Sequence, residues 1–275
     1  MPELPEVETI RKTLKQLVLN KTIEDISIYW PKIIKQPEDT DHFKHLLIGE
    51  TIQKMERKGK FLLFYLNDYV LISHLRMEGK YRVVPSHEEK DKHTHVIFHF
   101  TDGTDLRYND VRKFGTMHVF PIGQELTVKP LNHLGPDPFE KDYTFDYLKE
   151  KLLKTRRFIK AALLDQTIIA GLGNIYVDEV LFLANVHPER RAHTLTDNEL
   201  KLIYKYTHDV LSQAVVQGGT TIRSYVDGAG DMGMFQQELY VYGQETKPCQ
   251  TCATEIEKIR VAGRGTHICP ACQKK

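Results

Sequence analysis

The sequence predicts an α+β protein with a β-rich N-terminal part, a helical part after it and a metal-binding β-hairpin at the C-terminus. Three observations support this. Short apolar segments separated by turn residues run from about residue 22 to 120, which is typical of a β-sandwich or barrel. Apolar residues then recur at helical spacing between 145 and 217. All four cysteines follow residue 248.

The elements follow one another in a clear order. An amphipathic helix is expected over residues 5–19, with Pro5 suited to its first turn. Turn signals separate the strands that follow, at Gly49, Asn67-Asp68, Gly79 and Asp102-Gly103. The proline- and glycine-rich segment 121–139 is typical of an interdomain linker. We expect Asp197 and Asn198 to cap the last long helix.

Composition excludes several classes of protein. The chain has 275 residues, with 27% charged and 41% hydrophobic residues, which excludes a disordered or collagen-like chain. Its start, MPELPEVE, is acidic where a signal peptide is basic and then apolar, so we expect a cytoplasmic protein. With 38 Lys and Arg against 37 Asp and Glu, the net charge is +1. Binding to a polyanion must therefore depend on local patches of charge.

The cysteines form two C-x2-C pairs separated by sixteen residues, namely Cys249, Cys252, Cys269 and Cys272. Four thiolates in this spacing are the ligands of a closed tetrahedral zinc site, so we expect one structural Zn²⁺. The alternative is that the cysteines form two disulfides in a secreted protein, but the sequence has no signal peptide to support secretion. Between the pairs we expect strands at Glu255–Val261 and Thr266–Ile268, joined by a turn at Gly263–Gly265.

The N-terminus offers a nucleophile. Removal of Met1 leaves Pro2 with a secondary amine. Because an α-amino group has a pKa of about 7.7–8.0, a substantial fraction is neutral at physiological pH. A neutral amine can attack an electrophilic carbon and form a Schiff base. The alternative is that Pro2 and Pro5 only start a helix, with Glu3, Glu6 and Glu8 as ordinary acids of the first turn.

Several motifs occur together, in order, over nearly the whole chain. They are MPELPEVET at the start, RKGKFLLF around Lys60, HLRMEG at 74–79, LRYNDVRKFG at 106–115, HLGPDPF at 133–139, GLGNIYVDE at 171–179, QGGTTIRSYV at 217–226 and the terminal cysteine motif. In this combination the chain closely resembles the bacterial formamidopyrimidine-DNA glycosylases of the Fpg/Nei family. The resemblance covers Met1 to Cys272.

The resemblance implies a domain organisation. Residues 1–130 are expected to form an N-terminal helix and β-sandwich catalytic domain, and residues 131–140 a linker. Residues 141–236 are expected to form a helix-two-turns-helix DNA-binding domain, and 237–275 a zinc-finger hairpin. The family's partner is double-stranded DNA that contains an oxidised purine. We expect a monomer that does not bind membranes and acts in the bacterial cytoplasm, at the nucleoid.

The resemblance also implies a bifunctional DNA glycosylase and AP lyase for 8-oxoguanine and formamidopyrimidines. Pro2 matches the nucleophile that forms a Schiff base with the damaged nucleotide. Glu3 matches the acid that protonates the sugar ring oxygen, and Glu6 a supporting carboxylate. Lys60 matches the lysine associated with β-elimination and phosphate contact, and Arg264 the residue for phosphate binding and δ-elimination. From the residues alone, a solvated basic turn is the preferred interpretation of Lys60, because Arg57 and Lys58 flank it.

A base inside a duplex must be flipped out before it can be excised, and the gap must be filled. Three residues match the family's void-filling side chains, namely Met77, Arg112 and Phe114. Four more match contacts with the DNA backbone, namely His74, His93, Asn174 and Tyr242. Without the resemblance, the Met and Phe are expected in a strand core, the histidines in structural roles, and Gly171-x-Gly173 in an ordinary turn.

The chain departs from the family pattern at a few positions. In the loop Gly218–Gln236, which is expected to close over the flipped base, Asp231 and Met232 replace a common Lys-Pro, and Met234 replaces an aromatic residue. Lys113 stands where Arg is frequent.

Two rival functions remain. An endonuclease VIII-like enzyme shares the terminus and zinc finger but prefers oxidised pyrimidines, although the Met-Arg-Phe set favours the purine branch. The second rival function is that of a zinc-ribbon protein that binds DNA but has no catalytic activity.

Overall fold

The computed structural model describes residues 1–220 and 238–275. Its described residues fall into two compact units, one of residues 1–132 with 218–220, the other of residues 133–217 with 238–275. The predicted loop Gly218–Gln236 lies outside the described residues except for 218–220, so the departures at Asp231, Met232 and Met234 lie outside them too. The architecture is α+β, as predicted.

The first unit opens with α1, Leu4–Val18. Its apolar stripe, Val7, Ile10, Leu14 and Val18, is buried in the core of the unit, as amphipathic spacing requires. The helix ends where Asn20 adopts a left-handed backbone with φ 63°, a conformation that Asn tolerates better than most residues.

The strands of this unit form two sheets. They are β1 Ile23–Ile28, β2 Ile34–Gln36, β3 Lys54–Lys58, β4 Phe61–Tyr65, β5 Tyr69–His74, β6 Lys80–Pro85, β7 Thr94–Phe100, β8 Thr104–Asn109 and β9 Thr116–Pro121. One sheet has the order β1-β7-β8-β6 and the other β2-β9-β5-β4-β3. Neighbours are antiparallel, except that β2 pairs with β9 in parallel. The predicted β-sandwich is confirmed.

The core of the first unit contains residues of both sheets and of α1. The helix α2, Thr40–Leu47, contributes Phe43 and Leu47 to the same core. Neither α2 nor the three-residue strand β2 was predicted from the sequence. Both are short, and their apolar residues are too few to show a period of their own.

The second unit is helical, with α3 Phe145–Leu153, α4 Ile159–Leu163, α5 Asn174–Leu183 and α6 Asp197–Val216. The cap of α6 differs from the prediction. Thr196, not Asp197 or Asn198, is the N-cap, and it forms a capping box with Glu199. A Thr followed three residues later by Glu is the stronger signal, because both side chains satisfy N–H groups of the helix end.

The chain ends in a hairpin of β10, Glu257–Val261, and β11, Arg264–Ile268. Its turn is Ala262–Gly263, with φ of 48° and 78°, so it is shorter than the predicted Gly263–Gly265 turn. Two consecutive positive φ angles are the geometry of a two-residue hairpin loop. Among the described helices, none is both long and apolar enough to cross a membrane.

Candidate active site, nucleic-acid contacts and metal centre

Pro2, Glu3 and Glu6 are buried at the start of α1. The two carboxylates are each 3% exposed. They form a capping box in which Glu6 Oε2 accepts the Glu3 N–H at 2.8 Å. These residues do start a helix, as the simpler interpretation of the sequence requires. Acids of a first turn are usually exposed, however, whereas both of these are withdrawn from solvent beside the predicted nucleophile.

Glu6 also binds the backbone that follows α6. Its Oε1 accepts the Thr220 N–H at 2.8 Å and the Thr220 hydroxyl at 3.2 Å. Gly219 has φ +81°, and a Cβ there would lie 2.7 Å from Glu6 Oε1. Only glycine fits this approach without displacing the carboxylate. Glu6 thus fixes the start of the loop Gly218–Gln236 against the N-terminus.

Lys60 lies in the two-residue turn between β3 and β4 and is only 6% exposed. Burial on this scale does not fit a solvated basic turn. Arg57 holds the turn, because its Nε lies 3.1 Å from Glu8 Oε2 and its Nη1 donates to the Gly59 carbonyl at 2.9 Å. Burial raises the pKa of Glu8, but the hydrogen bonds and charges of Arg11 and Arg57 outweigh it and lower that pKa. The carboxylate therefore stays charged and anchors Arg57.

His74, at the end of β5, is buried and neutral. Its Nδ1 accepts the Arg76 N–H at 2.9 Å, and its ring meets Phe61 edge-on at 4.5 Å. Burial, followed by the charges of Arg76, Lys60 and His118, lowers the pKa of His74 to about 3. This histidine orients the turn that begins at Leu75, and it carries no positive charge at physiological pH.

The predicted void-filling side chains lie on two exposed turns of the first unit. Met77 is 40% and Phe114 52% exposed, so neither is the core residue that a strand position suggests by default. The Arg112 guanidinium stacks over the Phe114 ring at 4.7 Å. His93 is half-buried. Its carbonyl accepts the Asp110 N–H at 3.0 Å, which places His93 beside the turn that carries Arg112 and Phe114. The three predicted void-filling side chains therefore offer one cation and two apolar wedges.

In the second unit, Asn174 and the terminal hairpin lie together. Asn174 is the first residue of α5, and its Nδ2 donates to the Gly265 carbonyl at 3.0 Å. Arg264 is exposed and begins β11 next to that glycine. A helix N-terminus beside an exposed arginine is suited to binding a phosphate.

Tyr242 is held through α5. Glu179, fully buried on that helix, accepts the backbone N–H groups of Tyr240, Val241 and Tyr242 at 2.7, 3.0 and 2.8 Å. Burial raises the pKa of Glu179 to about 7, although these three bonds lower it. The ring of Tyr242 meets His267 at 4.8 Å. The predicted phosphate contact is thus fixed to the same hairpin as Arg264.

The four cysteines are brought together, and all lie in the described part of the chain. Their Sγ atoms lie within 4.8 Å of one another, and no pair forms a disulfide. The Cys252 and Cys269 sulfurs are 3.4 Å apart, and those of Cys252 and Cys272 3.5 Å. Four thiols at this spacing fit one tetrahedral zinc with no open position, so the metal has a structural role.

Several residues that shape these sites were not singled out in the sequence. They are Arg57, Tyr108, Asp110, Lys160, Asp178 and Glu179. Lys160 lies in the apolar segment FIKAALL, and Asp178 and Glu179 interrupt the apolar face of α5. Charged residues within otherwise buried helices are the signal that could have identified these three. Tyr108 and Asp110 lie within the motif LRYNDVRKFG, but no local pattern in the sequence indicates their roles.

The comparisons with known proteins agree along the chain. The formamidopyrimidine-DNA glycosylase N-terminal domain matches residues 1–117, the H2TH domain of the same glycosylase residues 134–226, and the zinc finger found in FPG and IleRS residues 247–275. A formamidopyrimidine-DNA glycosylase of Oceanobacillus iheyensis is 62% identical over 99% of this chain and 98% of its own. One of Bacillus licheniformis is 57% identical over the full length of both.

Solved structures give the same result. Wild-type Lactococcus lactis Fpg, in complex with DNA containing N7-benzyl-Fapy-dG, is 43% identical and superimposes with a TM-score of 0.93 over 100% of both chains. The same protein with DNA containing an abasic site has a TM-score of 0.93 over 99% of this chain and 100% of its own. Its domain matches, its sequence identity to these relatives and its fold all show that this chain belongs to the formamidopyrimidine-DNA glycosylase family.

Proposed function

We propose that this protein is a base-excision-repair DNA glycosylase and AP lyase that removes oxidised purines, 8-oxoguanine and formamidopyrimidines, from double-stranded DNA. One observation carries the proposal. Glu3 and Glu6 are buried in a capping box directly after Pro2, in a chain similar over its full length to formamidopyrimidine-DNA glycosylases. A point mutant of Lactococcus lactis Fpg bound to Fapy-dG DNA supports this class of substrate, and the complex of Lactococcus lactis Fpg with abasic-site DNA supports binding of DNA that has lost a base.

The proposed chemistry begins with the Pro2 nitrogen, whose lone pair forms a bond to C1′ as the bond to the base breaks. The base leaves with the electrons of that broken bond and takes up a proton, while the nitrogen, now positively charged, releases its own N–H proton and regains a lone pair. Glu3 then protonates the ring oxygen as the C1′–O4′ bond opens, and the regained lone pair forms the C=N bond of the iminium. Pro2 is the nucleophile, while Glu6 holds Glu3 and the start of the loop Gly218–Gln236.

Strand cleavage follows from the iminium. It acidifies C2′, so loss of a C2′ proton expels the 3′ phosphate, and a second elimination through C4′ expels the 5′ phosphate. Water finally hydrolyses the iminium and releases the proline amine. We assign Lys60 to the first elimination and to a phosphate, and Arg264 to a phosphate and the second elimination. A net charge of +1 does not argue against DNA binding, since we assign the binding to a few cations at specific positions.

The remaining contacts serve base flipping. We assign Met77 and Phe114 to the emptied stack and Arg112 to the orphaned cytosine, which its several donors suit. His93, Asn174, Tyr242 and the neutral His74 contact or orient the DNA backbone. The proposed organisation keeps the boundaries 1–130, 131–140, 141–236 and 237–275, together with a monomeric state and a location in the bacterial cytoplasm.

Borohydride trapping tests the proposal. The protein is incubated with duplex DNA that carries 8-oxoguanine opposite cytosine, and borohydride then reduces any Schiff base to a stable adduct. We expect a covalent complex with 8-oxoguanine that forms faster than with an oxidised thymine. Faster reaction with the thymine would favour the endonuclease VIII-like branch. If zinc-loaded protein gives no adduct with either lesion, the lyase assignment is wrong and the zinc-ribbon alternative remains.

A further inference from the structure

The turn that carries Arg112 and Phe114 is organised by one buried carboxylate. Asp110 is 1% exposed. Its Oδ1 accepts the Arg112 N–H at 3.0 Å, and its Oδ2 accepts the Phe114 and Gly115 N–H groups at 2.8 and 2.9 Å. Arg112 and Phe114 have exposed side chains, which are not held in place by packing in a core. Their positions therefore depend on the backbone of the turn, and the three hydrogen bonds to Asp110 fix that backbone.

The backbone of Asp110 joins the same turn to the sheet. Its carbonyl accepts the Lys113 N–H at 3.3 Å and lies 2.8 Å from His95 Nε2. Lys113 has φ 59°, a left-handed conformation that is strained for a residue with a side chain and persists only when its surroundings impose it. The strained backbone between Arg112 and Phe114 is therefore imposed by Asp110.

Tyr108 connects this turn to the turn that carries Met77. Its side chain is fully buried, and its hydroxyl donates to Asp110 Oδ2 at 3.3 Å. A Cβ on Gly115 would lie 1.7 Å from that hydroxyl oxygen, and a Cβ on Gly79 would lie 2.3 Å from it. Gly79 closes the Met77 turn, because its N–H donates to the Leu75 carbonyl at 2.9 Å. The hydroxyl is thus wedged between the two turns.

From this arrangement we infer that Tyr108 and Asp110 are positioning residues that fix the Met77 turn and the Arg112–Phe114 turn in one relative arrangement. The inference rests on the proposed function, in which these side chains fill the void left by the flipped base. Its consequence is specific. Selection of the base opposite the lesion depends on Asp110 and Tyr108, whereas Schiff-base formation at Pro2 does not.

Asp110→Asn is the principal variant. A carboxamide has one acceptor oxygen where the carboxylate has two, so an NH2 group then faces backbone N–H groups on one side of the turn. We expect the ratio of kcat/KM for 8-oxoguanine opposite cytosine and opposite adenine to fall about tenfold, the loss of one good directional contact to a base. Trapping on single-stranded abasic DNA, which needs no void filling, should stay within about threefold of wild type, well inside one such contact.

A spectroscopic signature reports the turn directly. The chain has a single tryptophan, Trp30, and Lys113 Nζ lies 4.1 Å from the centre of its ring. If Asp110→Asn releases the turn, this cation moves and Trp30 emission changes in the absence of DNA. The matched control is Asp102→Asn, an exposed aspartate whose Oδ1 accepts the Thr104 N–H in a sheet turn. We expect this control to change neither the emission nor the opposite-base ratio.

The outcomes separate the two claims. Failure of wild-type protein to trap any lesion overturns the proposed function. A wild-type protein that traps, with Asp110→Asn keeping both its opposite-base ratio and its emission, overturns only the positioning inference. If Asp110→Asn also loses trapping on single-stranded DNA, the Tyr108→Phe variant is measured instead, since it removes only the hydroxyl. For either variant, a lowered opposite-base ratio with intact single-strand trapping supports the inference. An unchanged opposite-base ratio overturns it.

Discussion

The Lys160 ammonium lies 2.6 Å from the Asp178 carboxylate, and neither side chain is exposed. The ammonium also donates to the Thr266 hydroxyl at 2.8 Å and the Gly265 carbonyl at 3.2 Å, while Asp178 Oδ2 accepts the His267 N–H at 2.9 Å. This pair therefore joins α4 and α5 to β11. The strand that begins with Arg264 is held by charge as well as by zinc.

Removing one member of the buried pair should be costly. Lys160→Met leaves the Asp178 carboxylate buried without its countercharge, and we expect the free energy of unfolding to fall by about 3–5 kcal/mol. Lys160→Met with Asp178→Asn should recover much of this, since the amide keeps an acceptor for the His267 N–H. Denaturant unfolding of the zinc-loaded variants measures both. A double variant as unstable as the sum of the single ones would contradict a coupled pair.

Arg57 should matter for the chemistry through Lys60. Arg57→Met removes the link from Glu8 to the Gly59 carbonyl, so the turn that holds Lys60 loses its anchor. We expect elimination at a preformed abasic site to slow roughly 10- to 100-fold, the range of a misplaced catalytic group. The matched control is Lys54→Met, an exposed cation on the same hairpin. Equal elimination rates in Arg57→Met and wild type would rule out this positioning role.

Acid should weaken the first unit through His74. The folded protein holds the pKa of His74 at about 3, whereas an unfolded histidine has a pKa of about 6.5. The unfolded state thus binds more protons between these values, and stability falls as the pH drops from about 6.5 toward 3, by up to about 1.4 kcal/mol per pH unit. His74→Asn keeps an acceptor for the Arg76 N–H but does not titrate.

Thermal unfolding of wild type and His74→Asn between pH 7.5 and 4.5 isolates this contribution. Burial also lowers the pKa values of His95, His118 and His187, and both proteins share them. We expect the two melting temperatures to converge as the pH falls. Parallel curves would show that His74 is not held neutral.

Zinc removal should act on the terminal hairpin. Cys249→Ser takes away one thiolate of a closed site, so we expect metal content, measured by mass spectrometry, to fall below one zinc per chain. DNA affinity should fall with it, because Arg264 loses its support. Thr251→Ala, between two ligands, is the control and should keep both. Unchanged DNA affinity in zinc-free Cys249→Ser would contradict a structural role for the metal.

Much of the fold could be predicted because its signals are local. Alternation and turn residues mark the strands of the sandwich, and C-x2-C spacing marks the metal site. The cap at Thr196 and the short turn at Ala262–Gly263 depend on backbone angles that neighbouring residues only bias. Short elements such as α2 are set by the core they complete rather than by their own pattern.

The candidate site divides in a similar way. Resemblance to the family pointed to Pro2, Glu3 and Lys60, but the burial of these residues, and the bonds from Glu6 to Thr220 that join positions over two hundred residues apart in the chain, follow only from the fold. The roles of Tyr108 and Gly115 depend on a close approach between turns. Such contacts leave no periodic trace in a sequence.

We propose above that the Pro2 nitrogen forms the covalent bond to the damaged nucleotide. The direct test is to trap the adduct with borohydride on 8-oxoguanine DNA, digest protein and DNA, and locate the sugar remnant by tandem mass spectrometry. We expect Met1 to be absent and the remnant to lie on the nitrogen of Pro2. A remnant on the Lys60 side chain, or on any other lysine, would contradict it.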